Sequence, residues 1–337
     1  MSEQPLVSIV IPTYNARRYI GDTIDSCLAQ TYPHCEIIVV DDGSTDGTAT
    51  LLRERYGERI RYLYQENAGP AAARNRGIDA AQGDFIHFCD ADDQLLPAKV
   101  ERCLEVFREQ PEVTVVYTRY HHVAEDGRTR LPIPDPELLS GDIFCDLLRS
   151  NGNAILTSAT LIRRQAILDI GCFNEARDLF GVEDWDFFLQ LAARYLFASI
   201  NEVLLHYRRY SGGLTANPLW MALGRLRTIQ LARHYPGRER CLDDRAYDQL
   251  EAGRHHLLAT VYWRQRQRSA ARQEFWAAVR LTTSGRAMRL LLILLSYCLP
   301  VRSAAVVGRF RQWINHRLGR PSRSGIGRDP SSGIQEL

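Results

Sequence analysis

The sequence predicts an α/β fold: a Rossmann-like, mostly parallel sheet flanked by helices, with an α-helical appendage on its C-terminal side. Short β-branched apolar runs at residues 7–11, 36–40 and 85–89 alternate with segments whose apolar residues recur at helical spacing. Such alternation implies parallel strands joined by right-handed crossovers. Each of the three runs also stops at a polar or acidic cluster, and from about residue 218 the texture turns helical and rich in arginine.

The elements follow in order. The run 7–11 ends at Pro12, and Tyr19, Ile20, Ile24, Cys27 and Leu28 then mark a helix that leads to the second strand, 36–40, and its turn Asp41-Asp42-Gly43. A helix is expected over 48–56, a strand over 61–64, a helix over 71–81 closing at Gly83, and the strand 85–89. Beyond it come a helix over 99–110, strands at 113–118 and 159–162, a helix over 185–195 and a strand at 203–207. The segment between Asp126 and Gly152, rich in proline, reads as a long loop and an acceptor-side flap. Leu257, Leu258, Val261, Tyr262, Ala270, Ala271, Phe275 and Ala278 suggest two antiparallel helices turning near Arg268-Ser269. The expected division is 1–215 for the catalytic unit, 216–320 for a helical region and 321–337 for a disordered tail.

At 337 residues, 45% apolar and 24% charged, the chain fits an ordinary globular protein with room for a sizeable core. Its formal charge of +2 is too balanced for nucleic-acid binding driven by the field of the whole molecule. The eight cysteines show no C-x-x-C pair and read as reduced core residues of a cytoplasmic protein, consistent with an N-terminus lacking a signal peptide. The longest apolar run, 290–299, is about half of the roughly twenty residues that a span needs. Residues 288–317 read either as core packing or as a helix on the inner face of the plasma membrane, with basic side chains toward anionic lipid.

In open sheets of this class ligands sit outside the carboxyl ends of the strands, so the polar clusters there are the candidate site. Asp90 and Asp92 flank Ala91 at a strand end, where an extended chain points both carboxylates one way. They suit Mg²⁺ or Mn²⁺, although a cap on the following helix by Asp92 or Asp93 explains the same residues. Asp42 reads as an acceptor for a nucleobase NH or as turn chemistry, and Asp46 and Thr48 as caps. Pro12, Thr13, Tyr14 and Asn15 offer a stacking ring and ribose contacts, or a plain capped turn. Arg74 lies one turn into a helix whose start, Asn67-Ala68-Gly69, favours negative charge; it reads as a phosphate or base contact or as a surface arginine. Glu183-Asp184 reads as a helix cap or as a general base near an acceptor.

Taken together, these segments resemble the family 2 glycosyltransferases of the GT-A fold. The resemblance rests on Val7-Ser8-Ile9-Val10-Ile11-Pro12-Thr13-Tyr14-Asn15, on residues 36–46, on Asn67-Ala68-Gly69 through Gly77, and on Gly83 through Asp93. It covers residues 6–215. It implies a nucleotide-sugar donor, a UDP-sugar by type, held by Pro12, Tyr14, Asn15, Asp41, Asp42, Arg74, Asp90 and Ala91. Asp92 would be the direct ligand of a divalent metal with Asp90 as partner, Asp184 beside Glu183 the base of an inverting displacement, and Arg208 a phosphate contact. No Q-x-x-R-W sequence follows the acidic pair, so transfer of one sugar to a glycan, lipid-linked or protein acceptor fits better than processive synthesis. A nucleotidyltransferase would need a glycine-rich basic loop that residues 13–18 do not provide, and a non-catalytic scaffold would not need intact acids.

Overall fold

In the computed structural model, which describes residues 4–133, 138–150, 155–179, 181–210 and 217–282, eight strands form one sheet. Along the chain these are β1 (Val7–Thr13), α1 (Ile20–Leu28), β2 (Cys35–Asp42), α2 (Thr48–Tyr56), β3 (Arg61–Gln65), α3 (Pro70–Ala80), β4 (Phe85–Phe88), β5 (Gln94–Leu95), α4 (Lys99–Glu109) and β6 (Val113–Val123). There follow α5 (Phe144–Arg149), β7 (Thr160–Arg163), α6 (Arg164–Asp169), α7 (Glu183–Ala192), β8 (Leu196–Arg208), α8 (Pro218–Ala232), α9 (Asp244–Arg264) and α10 (Arg268–Arg280).

The sheet order is β3-β2-β1-β4-β7-β6-β8-β5. The first four strands are parallel, as β-α-β units require. Beyond β4 the sheet is mixed: β7 runs antiparallel between β4 and β6, β6 and β8 are parallel, and β5 runs antiparallel on the edge of β8. Four of the seven strand pairings are parallel, as the expected mostly parallel sheet has it, and β7 enters antiparallel after a long excursion instead of a regular crossover.

Alternation along the strands splits the core in two. Val10, Ile38, Val40, Ile86 and Phe88 face α3, α5, α6 and α7, while Val7, Ile9, Ile11, Ile37, Val39 and Phe85 face α1, α2 and α4. The first core continues without a break into Ile229 and Ala232 of α8 and Tyr247 of α9. The helical region therefore shares hydrophobic core with the sheet.

Several expectations change. The region between Asp126 and Gly152 is no free loop in its described parts: Leu139 exchanges two hydrogen bonds with the Tyr117 hydroxyl, Gly141 pairs with Phe197, and α5 follows. Cys145 of α5 and Cys241 ahead of α9 form a disulfide, which corrects the reading of all eight cysteines as reduced. Their separation of 96 residues leaves no spacing signal in the sequence. The turn of the C-terminal hairpin falls before Arg268, and Leu257 is exposed while Leu258, Ala271, Phe275 and Ala278 are buried. Among the described residues no helix is long and apolar enough to cross a membrane. The segments 288–317 and 321–337 lie outside the described residues.

The depth of α3 on the sheet is set by one glycine. A Cβ on Gly77 would come 2.2 Å from Val10 Cγ1, so a side chain there must push helix and strand apart. Gly77→Val is expected to lower stability by about 1–3 kcal/mol, read as a lower urea midpoint at unchanged slope. An unchanged midpoint would show that α3 does not sit at this depth.

Candidate functional site

The tips of β1 and β2 are joined first. Thr13 pairs with Asp41 in register, and just beyond them Asn15, held at φ 48°, donates its N–H to Ser44 Oγ (2.9 Å) and accepts the Thr45 N–H on Oδ1 (2.8 Å). Asp41 is buried and accepts from the Ser44 N–H and the Tyr62 hydroxyl, both at 2.8 Å. Asp42, also buried, accepts from Gln65 Nε2 (2.7 Å) and from the backbone N–H groups of Ala68 and Gly69 (2.8 Å each). It therefore caps the entry to α3, where Gly69 at φ 95° and Pro70 at the first helical position turn the chain. An ionised carboxylate has about four lone-pair sites, so Asp42 retains capacity for one further donor. Tyr14, at the same tip, is 54% exposed, and its ring is open to a stacking partner. Asp46 accepts from the Thr48 N–H at the start of α2, in line with the capping reading.

The acidic end of β4 is arranged differently from the sequence reading. The Asp93 N–H donates to the Asp90 carbonyl (3.0 Å), a tight turn that folds Asp93 inward. There it is fully buried, accepts the Arg208 N–H on Oδ1 (3.2 Å), and has its pKa pushed well above the carboxylate range by burial and by Asp92 and Asp90. Neither Asp92 nor Asp93 caps a helix, because α4 starts only at Lys99 with Ala98 before it. Asp90 takes Arg74 Nη2 on Oδ1 (2.9 Å) and Thr157 Oγ1 on Oδ2 (3.4 Å), while its N–H donates to Ser158 Oγ. Ala91 is fixed by Thr23, whose hydroxyl donates to its carbonyl (3.0 Å). Asp92 remains partly exposed and hydrogen-bonds the Tyr210 hydroxyl; burial, then the charge of Asp90, raises its pKa to about 6.

A carboxyl raised by a neighbouring carboxylate, as Asp92 is by Asp90, is what a hard divalent cation relieves. Among the described residues no group of three or more histidine, cysteine or acidic side chains forms a metal cage. Asp90 and Asp92 are the residues that would hold a divalent cation, with water and phosphate oxygens completing its shell.

Arg208, expected at the phosphates, is held against the acidic strand end. Its guanidinium is buried, donating Nε to the Asp92 carbonyl (2.8 Å), Nη1 to the Glu125 carbonyl (2.6 Å) and Nη2 to Asp22 Oδ2 (3.1 Å), and it stacks 4.7 Å over Tyr19. These bonds tie the acidic strand end to β8 and α1 and use three of its five N–H donors. Asp22, Glu125 and Tyr210 escape sequence reading because they reach the site only through tertiary packing.

Arg74 joins the end of β4 to the start of α7. Besides Asp90 it donates Nη1 to Glu183 Oε1 (2.8 Å), with Phe173 beneath the guanidinium at 5.3 Å. It is 5% exposed, and although burial opposes its charge, Asp90 and Glu183 raise its pKa. Glu183 is equally committed, since Oε2 accepts the Gly181 N–H (2.8 Å) ahead of α7. The acidic pair thus divides. Asp184 stays partly exposed, accepts only the Trp185 N–H (2.7 Å) among the described hydrogen bonds, and is raised to about 7 by burial, then Glu183, against the pull of Arg74. A carboxylate so poised can exchange a proton near neutrality. Arg225 of α8, which the sequence reading does not assign, lies within electrostatic reach of Asp184.

Known proteins resemble this chain in sequence and fold. The family described as Glycosyl transferase family 2 matches residues 8–171. The putative teichuronic acid biosynthesis glycosyltransferase TuaG of Bacillus subtilis is 38% identical over 225 residues, covering 65% of this chain and 84% of that protein. Chondroitin synthase of Escherichia coli is 34% identical over 206 residues, 59% of this chain but only 28% of the larger protein. Among solved structures, S. aureus TarS 1-349 in complex with UDP superposes with a TM-score of 0.60 at 19% identity, over 96% of this chain and 94% of its own. The mannosyltransferase PcManGT of Pyrobaculum calidifontis, in complex with GDP-Man and Mn2+, gives 0.54 at 20% identity, over 93% and 84%. At such identities the structures establish the fold.

The Arg74 clamp predicts a definite coupling. Arg74→Met leaves two carboxylates without their cation and is expected to cost about 3–5 kcal/mol at neutral pH. Adding Glu183→Gln should recover part of that loss, measured by urea denaturation of both single variants and the double variant. Strict additivity would show that the two side chains do not interact.

Proposed function

The chain belongs to glycosyl transferase family 2 and is a glycosyltransferase, and on that premise we propose that it moves one sugar from a nucleotide-diphosphate sugar to an acceptor hydroxyl with inversion. The observation that carries this reading is the Arg74 clamp, which ties Asp90 of the donor side to Glu183 and so sets Asp184 beside the donor crevice. A UDP-sugar is the favoured donor. TarS structures contain UDP or UDP-GlcNAc, and the free acceptor capacity of Asp42 suits the N–H of uracil. The acceptor is a glycan, lipid-linked or protein hydroxyl, and relatives named for teichuronic acid biosynthesis and chondroitin synthesis support assembly of a bacterial polysaccharide.

In this mechanism the β1 and β2 tips hold the nucleotide, Tyr14 against the base and Asp42 at its edge. Asp90 and Asp92 would hold a divalent cation, a reading that the Mn2+ in the PcManGT complex supports, and Arg74 aims the Asp90 carboxylate. When bound, that cation supplies positive charge against the departing diphosphate. Asp184 accepts the proton of the acceptor hydroxyl as its oxygen bonds the anomeric carbon and the bond from that carbon to the diphosphate oxygen breaks. One carboxylate suffices, because attack comes from the face opposite the leaving group. Glu183 has no part in proton transfer, since Arg74 and Gly181 occupy it.

Two outcomes test this reading. Asp184→Asn should lower kcat by about a hundred- to ten-thousand-fold with nucleotide affinity retained, whereas Asp92→Asn should abolish the dependence of donor binding on Mg²⁺ or Mn²⁺. Transfer at the parent rate in Asp184→Asn would remove it as the base. Because Asp184 must be ionised to accept a proton and its pKa is raised to about 7, kcat should fall as pH drops through about 7 and level off above. A profile flat from pH 5 to 8 would contradict that assignment.

A further inference from the structure

A buried lysine stands behind the acidic end of β4. Lys99 opens α4 and is fully buried, although an ammonium is seldom taken out of water unless an opposite charge meets it. Its described hydrogen-bond partners are neutral: Nζ donates to Thr118 Oγ1 of β6 (2.7 Å) and to the Ala159 carbonyl. His87 on β4, equally buried, offers no charge either, since burial and then Lys99 hold its pKa down to about 3. Burial also lowers the pKa of Lys99, to about 8. A methionine of similar length would fill this place without the desolvation cost. What the ammonium contributes is its two hydrogen bonds, which a charged donor makes stronger than a neutral one.

One of those bonds leads to the site. Ala159 closes the single 3-10 turn Thr157–Ala159, whose residues are all buried. The turn is braced from within by the Thr160 hydroxyl, which donates to the Thr157 carbonyl (2.8 Å), and by the Ala159 N–H on the Leu156 carbonyl (3.0 Å). It holds Asp90 at two points: Ser158 Oγ accepts the Asp90 N–H (3.0 Å), and Thr157 Oγ1 donates to Asp90 Oδ2 (3.4 Å). Arg74 fixes the other carboxylate oxygen, Oδ1. The backbone of Asp90 and its Oδ2 thus depend on a three-residue turn, and Lys99 ties the last carbonyl of that turn to β6.

We propose that Lys99 is a positioning residue for the cation site, holding the turn Thr157–Ala159 so that Ser158 and Thr157 aim Asp90. The proposal rests on the reading of Asp90 and Asp92 as the cation-holding pair. It gives that pair a support from α4, in the helix layer across the sheet from α3 and Arg74. Contacts behind a ligand orient it, and their loss costs roughly ten- to a hundred-fold in metal affinity.

The test compares the full-length parent with Lys99→Met, Ser158→Ala and the double variant, each shown to be folded by circular dichroism. Lys99→Gln, which keeps an N–H donor in place of the charge, replaces Lys99→Met if the latter does not fold, with the same outcomes. Two quantities are read: Mn²⁺ affinity in the presence of UDP, from the electron paramagnetic resonance of the free ion, and the Asp90 amide proton resonance, which reports its bond to Ser158. Each single variant should weaken Mn²⁺ binding by roughly ten- to a hundred-fold and shift the Asp90 amide. The double variant should bind Mn²⁺ no more weakly than the poorer single one, because both changes act through one turn. A lysine that only stabilises the fold would lower the urea midpoint on substitution and leave both readouts at the parent value. That result, or additive losses in the double variant, overturns the proposal. If the parent does not bind Mn²⁺ with UDP, the cation reading fails instead. The Asp90 amide still decides the role of Lys99: a shift in Lys99→Met upholds the positioning of Asp90, and an unmoved resonance overturns it.

Discussion

The buried guanidinium of Arg74 is the constraint on which both halves of the site depend. A charge with 5% exposure is tolerated only where partners compensate its lost hydration, and here the partners come from β4 and from the entry to α7. The planar fork of arginine lets one side chain hold two carboxylates in fixed directions, which a lysine point charge does not. Arg74 is itself positioned from two sides. Asp42 captures the backbone at the start of α3, and Gly77 lets the middle of that helix descend onto Val10. The tip of β2, the acidic end of β4 and the Glu183-Asp184 pair are thereby connected through one eleven-residue helix.

Within this frame the acids are separated by environment. Asp93 is buried against β8, Asp92 faces outward, Asp90 is held by Arg74, and Asp184 stays partly open with a raised pKa. Asp92, Asp93 and Asp184 thus acquire different proton affinities from burial and neighbours, the usual way a fold assigns distinct roles to identical groups.

How far this was legible in the sequence follows from which interactions are local. The ends of β1, β2 and β4 were readable because Pro12, Asp41-Asp42-Gly43 and Asp90-Ala91-Asp92 carry their turn chemistry within a few residues. β8 begins at Leu196 rather than near 203, since apolar spacing alone carries helix α7 past its true end at Ala192. The six-residue α5 is too short for periodicity to show, and the antiparallel return of β7 leaves no mark on its own strand pattern. Arg74 could be noticed at a helix start, but its partners lie 16 and 109 residues away. The contacts of Arg208 are hidden for a related reason: two of its acceptors are backbone carbonyls, which no residue type betrays.

The tether made by Arg208 bears on the order in which the enzyme matures. Its donation to the Asp92 carbonyl spans 116 residues, and its own N–H reaches Asp93 across 115. Contacts so distant along the chain carry a loop-closure cost and belong to late stages of folding. A nascent polypeptide can complete β1 to β4 on the ribosome while Asp92 still lacks its anchor. The acidic strand end is set only when β8 has emerged and docked, so a chain arrested before that strand would own the tips of β1 and β2 without a finished end of β4.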